Sequence, residues 1–495
     1  MIRAQTVRAW AFAFLVVALF AAMTLALICR GPWYDEFYTH YVTRPGPSFF
    51  ALWPVWMRDN HPPLFYFLAW ATNFLGDPFV LRRILNLGIA LVGGGALFVL
   101  CRVRPALRPL AVPYVIALAG YLPMIGRVSE LRSNFLAYVA AAIAVAALSE
   151  LARPGQSPRS RGALAFLGVA LAVSFSVHLA ATMIVGAVSA AFGLRMLMTR
   201  DWRGAKELAA VGAIASAPFL VTMALQYGTI ARNTQNFWIQ SSAGEARWTI
   251  RLEIIANLTA NWPLTAVASC GLAMLGWQTL KERRLSDFAW LTATLGVGVV
   301  LAVIVLIIAH LQRPFVIDRY LVSLHPPIAM ILAIGVATVT KRVSASIATL
   351  IDGVMIIGAL FAIYASLQQT LKSPSWNGTA VKIAQITGRC PGVIVHVDEY
   401  WNKNTQLLPP VENRAVFPYA YRWVARAHGF ELAPVSSRAI AEKCPTVIWA
   451  EHAFNQRPDA EHIGARLRQQ GFTKTDGRLE RIGDGWIYVI PPPSP

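Results

Sequence analysis

Long apolar runs recur along this chain up to about residue 367, and they constrain its fold more than any other feature. A helix needs roughly 20 apolar residues to cross a hydrocarbon core of about 30 Å. Several runs reach that length, and a content of 56% hydrophobic and 14% charged residues excludes an ordinary soluble domain. The run at 10–28 could be a signal peptide, but Cys29-Arg30-Gly31 follows it in place of a small-residue cleavage site. The sequence therefore predicts a polytopic α-helical membrane protein whose first helix is retained.

Basic clusters separate the apolar runs and indicate how the chain crosses the membrane. The net charge is +19, yet the Lys and Arg residues do not form a basic domain rich in aromatics, which argues against a nucleic-acid partner. Short cytoplasmic loops are enriched in Lys and Arg, so we expect the N-terminus inside and the C-terminus outside. The clusters assigned to the inside are Arg3/Arg8, Arg102/Arg104/Arg108, Arg153/Arg159/Arg161, Arg195/Arg200/Arg203/Lys206, Lys281/Arg283/Arg284 and Lys341/Arg342.

Placing helices between these clusters predicts about eleven transmembrane helices. The pair between Arg161 and Arg195 is cramped, so counts of nine and thirteen stay open. The predicted helices cover 9–29, 79–101, 109–125, 134–152, 163–178, 180–198, 206–226, 252–279, 287–309, 320–339 and 344–367.

A long segment at 31–78 separates the first two predicted helices and is expected to be external. It contains two short apolar stretches, at 47–57 and 63–75, which are too short to cross a membrane. Both are rich in aromatic residues, which favour the membrane interface. We expect each to form an interfacial helix.

The composition changes after the last predicted helix. Strand-like runs at 393–397 and 446–449 alternate with helix-like segments, and 478–482 and 486–490 read as a closing hairpin. We therefore divide the chain into a transmembrane catalytic domain, 1–367, which includes the first external loop 31–78, and a small external soluble α/β domain, 368–495.

Two of the five cysteines, Cys390 and Cys444, lie in this external region, where a disulfide between them is plausible. Their separation alone does not establish the pairing. The other three, Cys29, Cys101 and Cys270, lie in or beside apolar runs and are expected to be small buried thiols.

Two adjacent carboxylates, Asp35 and Glu36, follow the first predicted helix within Trp33-Tyr34-Asp35-Glu36-Phe37-Tyr38. One interpretation is that they are solvated charges at a helix end. The other is that the flanking aromatic rings lower the local dielectric and hold one acid as a general base for a hydroxyl substrate. Adjacent side chains point in different directions, so the second acid would orient the first or contact a basic neighbour.

A second polar motif, Asp59-Asn60-His61-Pro62-Pro63-Leu64, precedes the second interfacial stretch. Capping residues and prolines at a helix start explain most of it, but they do not explain His61. That side chain could bind a phosphate, assist a metal or simply be buried at the interface. Asp35, Glu36, Asp59 and His61 are also candidate ligands for a divalent cation, although no spacing demands one.

These two motifs, followed by an Arg-containing entry to the next helix, resemble the GT-C glycosyltransferases that use polyprenyl-phosphate sugars. The group of protein O-mannosyltransferases and lipid A aminoarabinose transferases is the most similar, together with the related lipopolysaccharide-core transferases of rhizobia. The motifs cover about the first hundred residues. The many helices, the long first external loop and the external C-terminal domain also match the plan of this group.

The resemblance implies an inverting transfer of a monosaccharide from a polyprenyl-phosphate sugar. The acceptor would be a hydroxyl or phosphate of a lipid, a glycan or a protein on the external face of a bacterial inner membrane. Asp35 would accept the proton of the acceptor hydroxyl as its oxygen attacks the anomeric carbon. The leaving polyprenyl phosphate would need Arg side chains, whose forked guanidinium binds two oxygens.

Basic residues in predicted external loops are candidates for that phosphate, because the positive-inside rule makes them unusual there. Arg319, next to Tyr320, is the first choice and Arg313 the second. A second group, Arg127, Glu130 and Arg132, either belongs to the site or forms a salt-bridged helix end. Two further histidines, His178 and His310, occur singly at predicted helix ends, and we expect structural roles for both.

Two other functions remain open. A lipid or glycolipid transporter would place charges near the middle of the membrane, whereas here the helix interiors are nearly free of charge. An enzyme similar to O-antigen ligases or polymerases would also carry external arginines. The carboxylates of the first loop and the His-Pro-Pro motif favour the monosaccharide transferase.

Overall fold

The computed structural model describes residues 2–105, 107–151, 161–233, 241–398, 416–451 and 459–492. Arg153 and Arg159 of the predicted cytoplasmic clusters lie outside the described residues.

The described chain forms nineteen α-helices and four β-strands, with short 3₁₀ turns at Asn73–Leu75, Asp318–Tyr320 and Val322–Leu324. The first sixteen helices are α1 Ile2–Cys29, α2 Tyr34–Val42, α3 Phe49–Trp56, α4 Leu64–Ala71, α5 Phe79–Val103, α6 Arg108–Ala119, α7 Met124–Val128, α8 Asn134–Leu151, α9 Arg161–Val177, α10 Leu179–Met198, α11 Trp202–Asn233, α12 Ala243–Thr259, α13 Trp262–Glu282, α14 Asp287–Gln312, α15 His325–Thr340 and α16 Ala345–Leu371. The remaining elements are α17 Asn377–Arg389, β1 Ile394–Val397, α18 Val416–Ala427, β2 Thr446–Ala450, α19 Ala460–Gln469, β3 Arg478–Ile482 and β4 Gly485–Ile490.

Contacts between residues divide the chain into two compact units. The helical unit comprises Met1–Ile28 and Trp56–Leu371, and the sheet unit comprises Cys29–Val55 and Lys372–Pro495. The sequence assigned the whole first loop to the transmembrane domain, whereas its first half is grouped with the C-terminal region.

The helical unit is built from apolar helices, as the sequence predicts. Eight helices within the described residues are long and apolar enough to cross a membrane. Three more apolar helices are shorter than a full span, and two of these, α6 and α9, occupy predicted transmembrane segments. The chain is therefore a multi-pass membrane protein, and each of the eleven predicted segments contains a helix.

One predicted span, 252–279, is not a single helix. It is formed by α12 and α13, which meet at 92°, and the pair counts as a ninth span only if it crosses as one broken helix. Asn261 causes the break because its side chain caps α13, accepting a hydrogen bond from the Leu264 amide at 3.3 Å, and Pro263 follows in the first turn. Hydropathy alone does not distinguish such a bend from a straight helix.

The centre of the helical unit is formed by α8 and α15, which are buried along most of their length. Outer helices such as α5 and α11 leave large apolar side chains exposed, among them Val92 and Tyr227. Apolar surface of this extent suits contact with lipid tails and not with water. Gly93 of α5 allows close packing, since a Cβ there would collide with Val139 of α8.

The sheet unit contains a four-stranded sheet in the order β1-β2-β4-β3. β1 and β2 are parallel, and β4 pairs antiparallel with both β2 and β3. The predicted closing hairpin is confirmed: its loop places Gly483 at φ +60°, a conformation that glycine adopts without steric cost. A disulfide joins Cys390 and Cys444, whose Cα atoms are 5.8 Å apart.

A buried carboxyl, Glu451, lies directly after the central strand β2 of this sheet. Its Oε1 accepts hydrogen bonds from the Thr379 hydroxyl and, at 2.9 Å, from the Trp449 indole N–H. Its backbone N–H donates to the Tyr421 hydroxyl at 2.7 Å. Burial raises the pKa of Glu451 to about 8, so this carboxyl is mainly protonated at neutral pH.

Candidate functional site

Three aromatic side chains from distant parts of the sequence meet in the helical unit. His61 precedes α4, His178 lies between α9 and α10, and Tyr320 ends the 3₁₀ turn before α15. The His178 ring centroid is 5.1 Å from that of His61 and 4.5 Å from that of Tyr320, and the His61 and Tyr320 centroids are 6.1 Å apart. We call these three residues the His-Tyr cluster.

Two arginines add positive charge to the His-Tyr cluster. The Arg319 guanidinium carbon lies 5.7 Å from the Tyr320 ring centroid, and Arg132 is nearly buried just before α8. Burial lowers the pKa of His178 well below its usual value, and the charges of His61, Arg132 and Arg319 lower it further. The surroundings therefore favour binding of an anion.

The segment that carries His61 is held by two side chains. The Gln226 amide of α11 donates to the backbone carbonyls of Trp56, Asp59 and His61 at 3.0, 3.3 and 3.1 Å. The Tyr66 hydroxyl of α4 donates to the Asp59 carboxylate. Desolvation raises the pKa of Asp59, against the opposing effects of the Tyr66 hydrogen bond and of other groups.

An asparagine of α5 positions the segment that contains Arg132. The Asn86 amide donates to the carbonyl oxygens of Val128 and Glu130 at 2.9 and 2.5 Å. Asn86 is fully buried. Buried amides on two membrane helices, Gln226 and Asn86, thus hold the segment that carries His61 and the segment that carries Arg132, because a buried carbonyl needs a donor.

A second polar network continues from the same 3₁₀ turn. Arg127 forms ion pairs with Glu130 at 3.4 Å and with Asp318 at 3.0 Å. Although desolvation opposes it, the charges of Arg127 and Arg319 lower the pKa of Asp318. Arg127 therefore pairs with two carboxylates, which supports the predicted salt-bridged segment.

The same network includes a buried pair that the sequence did not indicate. The Tyr121 hydroxyl donates to Glu253 of α12 at 2.6 Å, and the Tyr121 ring stacks on His325 with centroids 4.5 Å apart. The second-choice arginine, Arg313, directly follows α14 as its C-cap and is exposed.

The predicted acids Asp35 and Glu36 lie in the sheet unit, in the first turn of α2. Acidic residues in a first turn stabilise a helix through its dipole, so part of their role is local. Glu36 is fully buried and Asp35 is partly exposed. This difference agrees with the expectation that the two side chains point in different directions.

Aromatic contacts hold α2 against α18 and the start of α17. The Tyr34 and Phe417 rings stack with centroids 4.7 Å apart, and Phe37 lies 4.9 Å from Trp376. A hydrogen bond of 2.6 Å joins His40 Nδ1 and the Tyr419 hydroxyl. The C-terminal region thereby fixes the helix that carries the two acids.

Among the described residues, no group of three or more His, Cys, Asp or Glu side chains is arranged to hold a metal ion. Binding of a divalent cation, for which the sequence offered candidate ligands, stays a prediction.

Sequence reasoning missed several residues of these networks: His178, Gln226, Tyr66, Asn86, Tyr121 and Glu253. Only His178 was considered, and it was assigned a structural role. A polar residue within an apolar span is the one signal that could have identified Asn86.

An apolar groove of about 810 Å³ lies between α4, α5, α8 and α9. Its lining is almost entirely hydrocarbon and includes Leu68, Gly88, Leu136 and Val173. Val173 precedes His178 by five residues along the chain, which corresponds to about 7 to 8 Å of helix. One lining residue of the groove therefore lies about one and a half turns of helix from His178.

Comparison with solved structures identifies the fold. A crystal structure of ArnT from Cupriavidus metallidurans bound to undecaprenyl phosphate matches 96% of this chain and 97% of its own, with a TM-score of 0.56 and 13% sequence identity. The apo structure of the same protein matches equal shares, with a TM-score of 0.55 and 12% identity. No protein-family model and no curated protein sequence matched the chain. Because ArnT, a lipid A aminoarabinose transferase, has the GT-C fold, the predicted GT-C architecture is confirmed.

Proposed function

We propose that this protein is a membrane glycosyltransferase that moves a monosaccharide from a polyprenyl-phosphate sugar to an acceptor hydroxyl. The observation that carries the proposal is the His-Tyr cluster, with Arg132 and Arg319 beside it, in the same unit as the apolar groove. A polyprenyl-phosphate sugar likewise combines a charged head, which would suit the arginines, with a hydrocarbon tail, which would suit the groove. The shared fold with a protein crystallised with undecaprenyl phosphate supports the same class of ligand.

The phosphate would bind at Arg319 and Arg132, with His61 and Tyr320 beside it. Arginine suits this role because it stays charged and its fork can bind two phosphate oxygens. The positive charge would stabilise the leaving polyprenyl phosphate as its bond to the sugar breaks. Arg313, which is exposed, is less suited to this role.

The polyprenyl chain would lie in the apolar groove. A CH₂ group gains about 0.8 kcal/mol when it moves from water to an apolar site. A polyprenyl chain that moves from the lipid bilayer into this groove leaves one hydrocarbon environment for another, so it gains little of that free energy. The groove would therefore select for shape and direct the tail, and the phosphate would provide most of the affinity.

Asp35 would act as the general base, as the resemblance implies. It would accept the proton of the acceptor hydroxyl while the hydroxyl oxygen attacks the anomeric carbon, in a single displacement that inverts the configuration. Glu36, which is buried in the same turn, would help to hold the helix that presents Asp35. The acceptor belongs to a lipid, a glycan or a protein.

The distribution of basic clusters supports a bacterial inner membrane protein with its N-terminus in the cytoplasm. The reaction would then take place on the external face, where the C-terminal domain would also lie.

Transfer in proteoliposomes tests this function. Purified protein would receive a radiolabelled polyprenyl-phosphate sugar and a membrane extract as the source of acceptor. We expect labelled product from the wild type and a loss of about 100- to 10,000-fold in turnover for Asp35→Asn, since this is what general base catalysis contributes. Unchanged turnover in this variant, with normal folding by circular dichroism, would rule out Asp35 as the base.

The same liposomes separate the enzyme from its rivals. Movement of lipid between leaflets without consumption of a sugar donor would identify a transporter. Transfer of a whole glycan from a pyrophosphate-linked donor would identify an enzyme similar to ligases or polymerases.

A further inference from the structure

The hydrogen bond of His178 to its own helix determines where its proton lies. His178 is the N-cap of α10, and its Nδ1 accepts a hydrogen bond from the Ala180 backbone N–H at 3.2 Å. An accepting Nδ1 carries no proton, so the proton of the neutral ring is on Nε2. His178 is therefore a donor at its second nitrogen.

That donor, His178 Nε2, has no hydrogen-bond partner among the described residues, although the side chain is only 4% exposed. An unsatisfied buried donor costs about 1–3 kcal/mol, so an arrangement of this kind calls for an explanation. Another buried histidine at a helix end, His310, has both nitrogens satisfied: Nε2 lies 3.1 Å from the Ser241 carbonyl, and Nδ1 accepts from two backbone N–H groups.

The surroundings of His178 indicate the charge of the missing acceptor. Its ring faces His61 and Tyr320, and the positive charges of Arg132 and Arg319 act on it. Burial and these charges lower the pKa of His178, so the ring stays neutral at physiological pH and offers N–H without adding charge. An anionic oxygen among these groups would satisfy the donor.

We propose that His178 binds a phosphate oxygen of the polyprenyl-phosphate donor through its Nε2–H. The inference rests on the proposed function and extends it, because it assigns a substrate-binding role to a histidine that the sequence placed among structural residues. A neutral donor binds the sugar-bearing phosphodiester and the released phosphomonoester alike, so His178 would contact the lipid phosphate throughout the reaction.

Two substitutions separate the two nitrogens of the ring. In His178→Asn the amide oxygen can replace Nδ1 as the helix cap, but no donor reaches the position of Nε2. In His178→Gln the longer side chain can place its N–H₂ near the position of Nε2, but it no longer caps the helix. If His178 only capped the helix, His178→Asn would leave both stability and ligand affinity unchanged, and His178→Gln would lower both.

Binding of undecaprenyl phosphate to the full-length protein in detergent, measured by isothermal titration calorimetry, tests the proposal. We expect His178→Asn to weaken binding about 10-fold at an unchanged thermal unfolding midpoint, because one hydrogen bond to a charged group is lost. His178→Gln should unfold at a lower temperature but bind within about 3-fold of the wild type. Wild-type affinity in His178→Asn would overturn the proposal.

Ligand controls distinguish this inference from the proposed function. If wild-type protein binds undecaprenyl phosphate no better than undecaprenol, which lacks the phosphate, both the proposed function and the role of His178 fail. Inorganic phosphate, which lacks the chain, should compete only weakly. If it competes as well as undecaprenyl phosphate, the cluster is a site for free phosphate and the proposal is wrong.

Discussion

Two groups of buried polar side chains in this protein differ in how their hydrogen bonds are satisfied. In the sheet unit, Glu451 accepts from Thr379 and Trp449, and its burial keeps it protonated and uncharged. In the helical unit, His178 presents an unused donor where two arginines add positive charge. Burial is common to both groups, so it does not distinguish them. The satisfied group stabilises the fold, whereas the unused donor of His178 beside two arginines suits an anionic ligand.

Removal of both arginines should have the largest effect. We expect the double variant Arg132→Ala/Arg319→Ala to bind undecaprenyl phosphate about 1000-fold more weakly, because two charge-assisted interactions are lost. Calorimetric titration measures this. Arg247→Gln, at an exposed position of α12, is the control and should bind like the wild type. A similar loss in the control would mean that net charge, and not the cluster, determines affinity.

Removal of the buried carboxyl should affect stability and not binding. Glu451→Ala removes one hydrogen bond each from the Thr379 hydroxyl and the Trp449 indole and leaves a cavity beside them, which we expect to cost about 3 kcal/mol. Hydrogen exchange of β2 in the full-length protein reports this loss. Affinity for undecaprenyl phosphate should stay within about 2-fold of the wild type; a 10-fold change would contradict the division into two kinds of polar group.

Stability of the sheet unit should depend on pH through the same residue. The pKa of Glu451 is about 8 in the folded protein and near 4.5 in the unfolded chain, so the folded state binds more protons between these values. The stabilisation is therefore complete below about pH 4.5 and is lost as the pH rises through 8, with a slope of at most about 1.4 kcal/mol per pH unit. Amide hydrogen exchange of β2, corrected for the intrinsic effect of pH on exchange rates, measures this pH dependence of stability. Glu451→Gln should abolish the dependence, and an unchanged slope in that variant would assign it to another group.

The smallest effect is expected from the residue that holds the His61 segment. Gln226→Leu removes the donor shared by three backbone carbonyls, and we expect binding about 5-fold weaker, because the cluster loses its alignment. Calorimetric titration again provides the measurement. Thr222→Val, one turn earlier in α11, is a control that should leave affinity unchanged; equal losses would show a general effect on the helix.

Much of the fold was predictable because a lipid environment leaves few choices. Each span must satisfy its backbone hydrogen bonds internally, so long apolar runs imply helices. The strands of the sheet unit were predictable from their β-branched runs, and β1 and β2 agree with the predicted 393–397 and 446–449 within one residue at each end. The bend between α12 and α13 was not predicted, although Asn261 and Pro263 carry the usual signals of a helix start, because hydropathy is continuous across it.

The candidate site was only partly predictable, since its members are far apart in sequence. His61 was singled out because helix capping explains the other residues of its motif but not the histidine. Tyr320 was singled out because it follows Arg319. His178 has no such motif, and only tertiary packing brings the α9–α10 turn to His61, which precedes α4, and to Tyr320, which precedes α15. A single histidine at a helix end looks the same in sequence whether its second nitrogen is satisfied or not, which is why His178 and His310 were assigned alike.

The 3₁₀ turn Asp318–Tyr320 belongs to both polar networks of the helical unit. Asp318 pairs with Arg127, while Tyr320 packs against His178, and Arg319 lies between them. Three consecutive residues of one tight turn cannot move independently. If a bound ligand shifts Arg319, the ion pair between Asp318 and Arg127 would change with it. By thermodynamic reciprocity, breaking that ion pair would then change the affinity for the ligand by the same coupling free energy.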